Sequence, residues 1–397
     1  MRRHKVGWVM HSKWFPVALG VALGVSPAQA ASVPLLLGSY TGGQSKGIYL
    51  YRFDENSGQI TPQPQQVMLS DNPSWLTLSA DRHVLFAVNE NGEGARDPIG
   101  RVSAYRIDPV HGTMRMINRA ASLGTEPTHA SLSKDGRFLF VANYAVSADP
   151  GGMLTVLPVG KNGALGAAVQ VKTYRASMVN VERQSSPHVH SVVSSPDGRF
   201  VFVQDLGGDR IYAYRYHPER REAPLAALAE QPFTALPAGS GPRHLLFSRD
   251  GRYAYVTLEM TGQVAVLEHH EGHLTLRQTL PLAPEGFAGK LSAAALHFSP
   301  DGRFLSVTSR GDDNHLVSFA ISASDGSLTR VDRRAVEGVE PREFAFSPDG
   351  RFVLVANQRS QAVKVFRRDP ASGKVLDLVQ SLRIDQVSDI KFLPQGR

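Results

Sequence analysis

The chain contains no cysteine. No disulfide can hold its fold, and no thiol can serve as nucleophile, redox centre or metal ligand. It has no lysine and arginine run of the kind that tracks a nucleic-acid backbone, so no nucleic-acid partner is expected. Beyond residue 25 no stretch is long and apolar enough to cross a bilayer core of about 30 Å. A serine nucleophile on a Gly-x-Ser-x-Gly elbow is not expected. The histidine-rich His269-His270-Glu271-Gly272-His273 lacks the His-Glu-x-x-His spacing and reads as a polar hairpin turn. Asp312-Asp313-Asn314 lacks the ordered ligand spacing of a calcium loop and also reads as a turn.

The first thirty residues have a different character. Arg2, Arg3, Lys5 and Lys13 form a basic leader, residues 14–25 are mostly apolar, and Ala28-Gln29-Ala30 is a small-x-small cleavage signal. That is the layout of a secretory signal peptide cut after Ala30. Twelve residues span only about 18 Å as a helix, too short for a membrane anchor. The expected organisation is a signal peptide at 1–30 and one domain at 31–397, periplasmic or secreted and free of the membrane after cleavage. Four of the positive charges leave with the leader, so a formal net charge of +7 falls to about +3.

One phrase then repeats. Ser-x-Asp-Gly-Arg-Phe, or a close variant, begins at Ser79, Ser133, Ser195, Ser248, Ser299 and Ser347, at intervals of 48 to 62 residues. Before each copy stands a short apolar run such as Leu245-Leu246-Phe247. After it come a second, as in Phe138-Leu139-Phe140-Val141-Ala142, and a third, as in Ile211-Tyr212-Ala213-Tyr214. Asp-Gly supplies a tight turn. Four antiparallel strands in about 50 residues make a propeller blade. The chain ends on a partial copy, Ile390-Lys391-Phe392-Leu393-Pro394-Gln395-Gly396-Arg397. It starts, after the leader, with the missing strands Leu35-Leu36-Leu37 and Ile48-Tyr49-Leu50-Tyr51. The expectation is an all-β, seven-bladed β-propeller whose two ends share one blade, which leaves no open sheet edge.

Aligning the copies on the turn aspartate locates a candidate site. In a hairpin centred on the glycine, the seventh residue before the aspartate should face the ninth after it, at one mouth of the channel. The first column reads Ser74, Thr128, His190, Arg243, Ala294 and Arg342. The second reads Glu90, Tyr144, Leu206, Glu259, Arg310 and Gln358. The turn end is uniform, whereas this end varies and is polar, as a small-molecule site is. The long insertion at 174–186 should lie over this mouth and, with 91–100, shape selectivity. Trp75 and Tyr144 could stack on a sugar or pack in the core. His188 and His190 could share one strand face but have no fixed third partner, so no metal and no cofactor is expected.

Gly241-Pro242-Arg243-His244, Pro187-His188-Val189-His190-Ser191 and Ala356-Asn357-Gln358, in this order and spacing, resemble the lactonase-type seven-bladed propellers. That family includes the propeller-type bacterial 6-phosphogluconolactonases and is similar to fungal carboxymuconate lactonising enzymes. The resemblance spans the chain from Leu36-Leu37-Gly38-Ser39-Tyr40-Thr41 to the final partial blade; His188-Val189-His190 departs from the usual His-Pro-His. It implies a catalytic His190, Arg243, Glu259 and Arg310. Glu90, His129, Tyr144, His188, His244, Arg342 and Gln358 stand as substrate-binding candidates. The activity implied is hydrolysis of a small-molecule sugar lactone by a monomer, with His190 or Glu259 as general base and the arginines on the oxyanion. Export favours an unphosphorylated aldonolactone over a cytoplasmic sugar phosphate. The alternatives are a non-catalytic ligand- or protein-binding propeller and a muconate-type lactonising cycloisomerase. Mass spectrometry of the exported protein should find Ala31 at its N-terminus; a species that retains Met1 would mean that the leader stays as an anchor.

Overall fold

The computed structural model describes residues 1–5, 7, 32–95, 97–146 and 151–393. Met1–Ala30 is a unit apart from Ala31–Arg397. Most of the expected leader, and the turn Pro394-Gln395-Gly396-Arg397, lie outside the described residues. Among the described residues there is no helix.

Hydrogen bonds account for the wording of the repeat. The serine hydroxyl donates to the aspartate Oδ1 at 2.5–2.6 Å in all six copies. The same oxygen accepts the backbone N–H two residues on, as from Arg137, Arg199 and Arg303. The glycine between them holds φ at +71° to +74° in the five Asp-Gly copies, a conformation that a Cβ makes costly. In four of these five copies the next arginine lies over the ring that follows it, as Arg303 does over Phe304 at 5.3 Å. Each piece of the phrase thus serves the turn itself.

Six blades follow one another at residues 73–121, 125–172, 189–235, 242–281, 291–335 and 341–383. The seventh takes its inner strand, Val387–Phe392, from one end of the domain and pairs it with Ser32–Ser39 from the other. Ser32–Ser39 pairs in turn with Gly47–Asp54. The inner strands line the channel as a ring that closes between Val387–Phe392 and Pro73–Leu78. The buried apolar side chains fall into seven clusters, each shared by two adjacent blades. The core therefore lies between blades rather than in the channel, which is left to polar groups. The Gly-x-Ser-x-Gly spacing does occur, at Gly43-Gln44-Ser45-Lys46-Gly47. It lies in a strand-to-strand loop, where the buried Ser45 hydroxyl contacts Ser39 and Tyr49, and is no nucleophile elbow.

The inner hairpins depart from the expected register. The eighth residue before the aspartate pairs with the eighth after it, as in Pro73↔Asn89 and Val189↔Asp205, and the seventh is an extra residue in a β-bulge. All seven blades carry the irregularity at this place. Two residues earlier the backbone is left-handed at Asn72, Glu126, Gly241, Glu340 and Gln386. A regular strand alternates its side chains between faces; a bulge breaks the alternation. Consecutive pairs such as Ser74/Trp75, Arg243/His244 and Arg342/Glu343 consequently line one channel cavity.

Phe352 tests the closure. It is fully buried between the last two blades and meets Phe53 of the closing blade edge-on at 5.7 Å. Phe352→Ala should cost about 3–5 kcal/mol, read as a lower denaturant midpoint at unchanged slope.

Candidate active site

The mouth is organised around one carboxylate. Glu259 stands at the end of Tyr253–Leu258, on the inner hairpin of blade four. Its Oε1 accepts from Arg183 Nη2 at 2.7 Å. Its Oε2 lies 3.0 Å from Arg243 Nε and 3.1 Å from Arg310 Nη2. The Arg243 N–H is not aligned on the oxygen, so that contact is one of charge. Burial alone would push the Glu259 carboxyl up, but Arg310, Arg243 and Arg183 hold it down at about 2. Burial, then Arg310, lowers Arg243 as well; beside an ionised carboxylate the guanidinium keeps its charge at neutral pH.

His190 stands on the bulge of blade three and is buried. Burial, with Arg243, Arg342 and Arg310 adding to it, holds its pKa well below the usual histidine range. The imidazole is neutral at physiological pH. Its Nδ1 is enclosed and has no hydrogen-bond partner among the described residues. Tyr144 faces His190 edge-on at 5.8 Å and stacks on His188 at 4.2 Å. His188 is fixed further by the Tyr144 carbonyl at Nδ1 and Ser186 Oγ at Nε2.

The far side of the mouth is a second ion-paired group. Arg342 Nη2 donates to Glu90 Oε2 at 3.3 Å and lies over the Tyr40 ring, whose hydroxyl donates to the same oxygen at 2.7 Å. Arg310 also reaches Glu340 Oε1 at 3.0 Å. The structure thus brings His190, Arg243, Glu259 and Arg310 together, with Glu90, Tyr144, His188 and Arg342 around them. Gln358 sits on the rim and its side chain bonds to none of these groups among the described residues. His129 and His244 lie one layer deeper, buried against Trp75 at ring separations of 4.3 and 5.1 Å. Trp75 itself donates to the Ala130 carbonyl and carries Lys391 over its ring at 4.3 Å.

Four mouth residues escaped the column alignment. Arg183 comes from the insertion, whose Gln184 side chain is tied to the Leu206 carbonyl and to Asp209, so the loop lies over the mouth. Insertions have no repeat position, and no repeat signal could have shown it. Tyr40 and Ser388 are the ninth and bulge positions of the closing blade; counting the register across the two ends would have found both. Glu126 occupies the left-handed position of blade two and has no cationic partner among the described residues. Gly92 leaves room for it: a Cβ there would meet its carboxylate at 2.7 Å. Burial, then Glu90, raises its pKa.

Three comparisons bear on these features. The family model described as "Lactonase, 7-bladed beta-propeller" matches residues 34–392. The chain is 29% identical over 361 residues to a 6-phosphogluconolactonase of Bacillus subtilis, covering 90% of this chain and 98% of that one. It is 31% identical over 366 residues to one of Formosa agariphila, covering 90% and 99%. Among solved structures it resembles the periplasmic gluconolactonase of Pseudomonas aeruginosa with a TM-score of 0.88 and 53% identity, over 91% of this chain and 99% of that one.

Glu259 is also a stability element. An unfolded glutamate titrates near 4.5 and the folded one at about 2. Its contribution is complete above pH 4.5 and is lost as pH falls through about 2. Glu259→Gln leaves Arg243 buried without a carboxylate and takes one from Arg183 and Arg310, and should cost about 3–5 kcal/mol at pH 7. Chemical denaturation should show that loss, and a shallower fall in stability than wild type between pH 4.5 and 2.

Proposed function

The chain belongs to the lactonase family of seven-bladed β-propellers, and we propose that it is a periplasmic lactone hydrolase acting on unphosphorylated aldonolactones. The observation that carries this reading is a buried neutral imidazole, His190, beside an arginine cluster that a permanently ionised carboxylate holds in place. Lactone opening needs a base for water and positive charge for the oxyanion. His190 is the base: neutral, lodged in the mouth, with a ring nitrogen free to take a proton. Glu259 has both carboxylate oxygens taken by guanidiniums and acts as the anchor of the cluster. Arg310 and Arg183 face the developing oxyanion, and Arg243, buried behind them, fixes Glu259. Protonated His190 then returns its proton to the ring oxygen as the tetrahedral intermediate opens. The stacked Tyr144 and His188 offer an aromatic wall for the sugar.

Charge balance supports a neutral substrate. Arg183, Arg243, Arg310 and Arg342 are each already paired with Glu259, Glu340 or Glu90. A phosphate dianion, or the carboxylates of a muconate, would have to displace a carboxylate to gain a guanidinium. The location rests on the leader at 1–30 and on the periplasmic relative.

In a pH-stat, purified protein should accelerate the opening of glucono-δ-lactone well above the spontaneous rate, with a lower kcat/KM for its 6-phosphate. His190→Gln should lower kcat about 10²–10⁴-fold and leave KM and the thermal midpoint near wild type. No acceleration of either lactone would leave the binding-propeller reading standing.

A further inference from the structure

Under the mouth lies a channel cavity of about 10 Å³, lined by both layers of the bulged inner strands. That volume is enough for one water centre. Ser74, His190 and Glu343 all border it. Two enclosed polar atoms on these residues, Ser74 Oγ and His190 Nδ1, have no hydrogen-bond partner among the described residues. Leaving two such atoms unpaired costs about 1–3 kcal/mol each, and a single water with three polar neighbours removes both penalties.

Glu343 is placed to be the third neighbour. Its Oε1 is taken by His297 Nε2 at 2.6 Å and by the Phe344 N–H at 2.9 Å, which leaves Oε2 for the cavity. Around Glu343 stand His297 from blade five and Lys391 and Asp389 from the closing blade. Around His190 stand Arg243, Arg310, Arg342 and the rings of His244 and Tyr144. No carboxylate reaches His190 directly among the described residues, although a catalytic base is ordinarily oriented by a third group.

We propose that a buried water links Ser74, His190 and Glu343, and that Glu343 is the positioning residue that sets the tautomer of His190. The proposal rests on the assignment of His190 as the base. An ionised Glu343 can only accept, so the water donates one proton to it. Ser74 turns its hydroxyl proton toward Tyr40 Oη, whose own proton goes to Glu90, so Ser74 Oγ accepts the water's second proton and the water's lone pair accepts from His190 Nδ1–H. His190 then carries its proton on Nδ1 and presents the Nε2 lone pair to the mouth. Nε2 has no hydrogen-bond partner and is not among the fully enclosed atoms, so it keeps access to the substrate side. An amide at 343 can donate to the water instead, which frees a water proton for Nδ1, so the Nδ1–H tautomer is no longer enforced and the lone pair at Nε2 is no longer guaranteed. The same tautomer logic makes the carboxylate indispensable in hydrolase triads.

The test is ¹⁵N-histidine NMR with steady-state kinetics on the mature protein. Wild type should show His190 as the Nδ1–H tautomer. Glu343→Gln should populate the Nε2–H tautomer and lower kcat about 100-fold at near-wild-type KM, and Glu343→Asp should restore part of the rate. Ser74→Ala removes another neighbour of the water without touching a charge and should lower kcat about tenfold, which keeps the test alive if Glu343→Gln does not fold. An unchanged tautomer in Glu343→Gln, or kcat within about threefold of wild type in both Glu343→Gln and Ser74→Ala, overturns the relay. If His190→Gln abolishes turnover in the same series, the base assignment survives that result. If His190→Gln is fully active, the assignment falls and the relay with it.

Discussion

A single extra residue in every inner strand governs what this channel can be. Strict alternation would send one of each pair Arg243/His244 and Arg342/Glu343 away from the channel. All seven blades carry the bulge, and in three of them it turns both residues of the pair onto the channel cavity. The result is two stacked polar layers. The upper holds His190, Arg243 and Arg342 at the mouth. The lower holds His129, His244, Glu343 and Asp389 beneath it. The left-handed residues before the bulge, among them Glu126 and Glu340, show that backbone strain is concentrated at this end. At the opposite end the turns repeat one solution, with a glycine in the left-handed position in five copies and Arg82 in the sixth.

The electrostatics follow from that geometry. Four guanidiniums brought this close repel one another unless anions intervene. Glu259 meets three of them, Glu90 meets Arg342, and Glu340 is a second partner of Arg310. With the charge neutralised in place, buried histidines beside arginines have no reason to protonate. His129 is pushed down to about 3 by burial and then by Lys391, and His244 well below its ordinary range by burial and then by Arg243. A mouth that keeps His190 neutral and Glu259 ionised fits the proposed base chemistry on an uncharged substrate.

Much of this was legible in the sequence. The blade count and the shared closing blade follow from the Asp-Gly phrases and from two complementary ends. The core of the mouth, His190, Arg243, Glu259 and Arg310, falls in columns that repeat alignment alone brings together. The bulge was not legible, because a one-residue insertion present in every copy leaves the spacing between copies unchanged. For that reason the columns were assigned to facing positions that the hairpins do not pair. It also hid the division into layers, so that His129 and His244 read as substrate-binding residues. Arg183 was hidden for a different reason: it enters from an insertion, where repeat arithmetic has no purchase.

The central claim is that the bulged, arginine-rich mouth receives the lactone and that His190 Nε2 faces its carbonyl carbon. A crystal structure with the hydrolysis product, gluconate, tests this most directly. The account predicts the gluconate carboxylate beside His190 Nε2, joined to it by a water that donates to both, and within hydrogen-bonding distance of Arg310 or Arg183, with its hydroxyls along Tyr144 and His188. Gluconate seated at the Asp-Gly-Arg face, or in the mouth with its carboxylate turned away from His190, would contradict it.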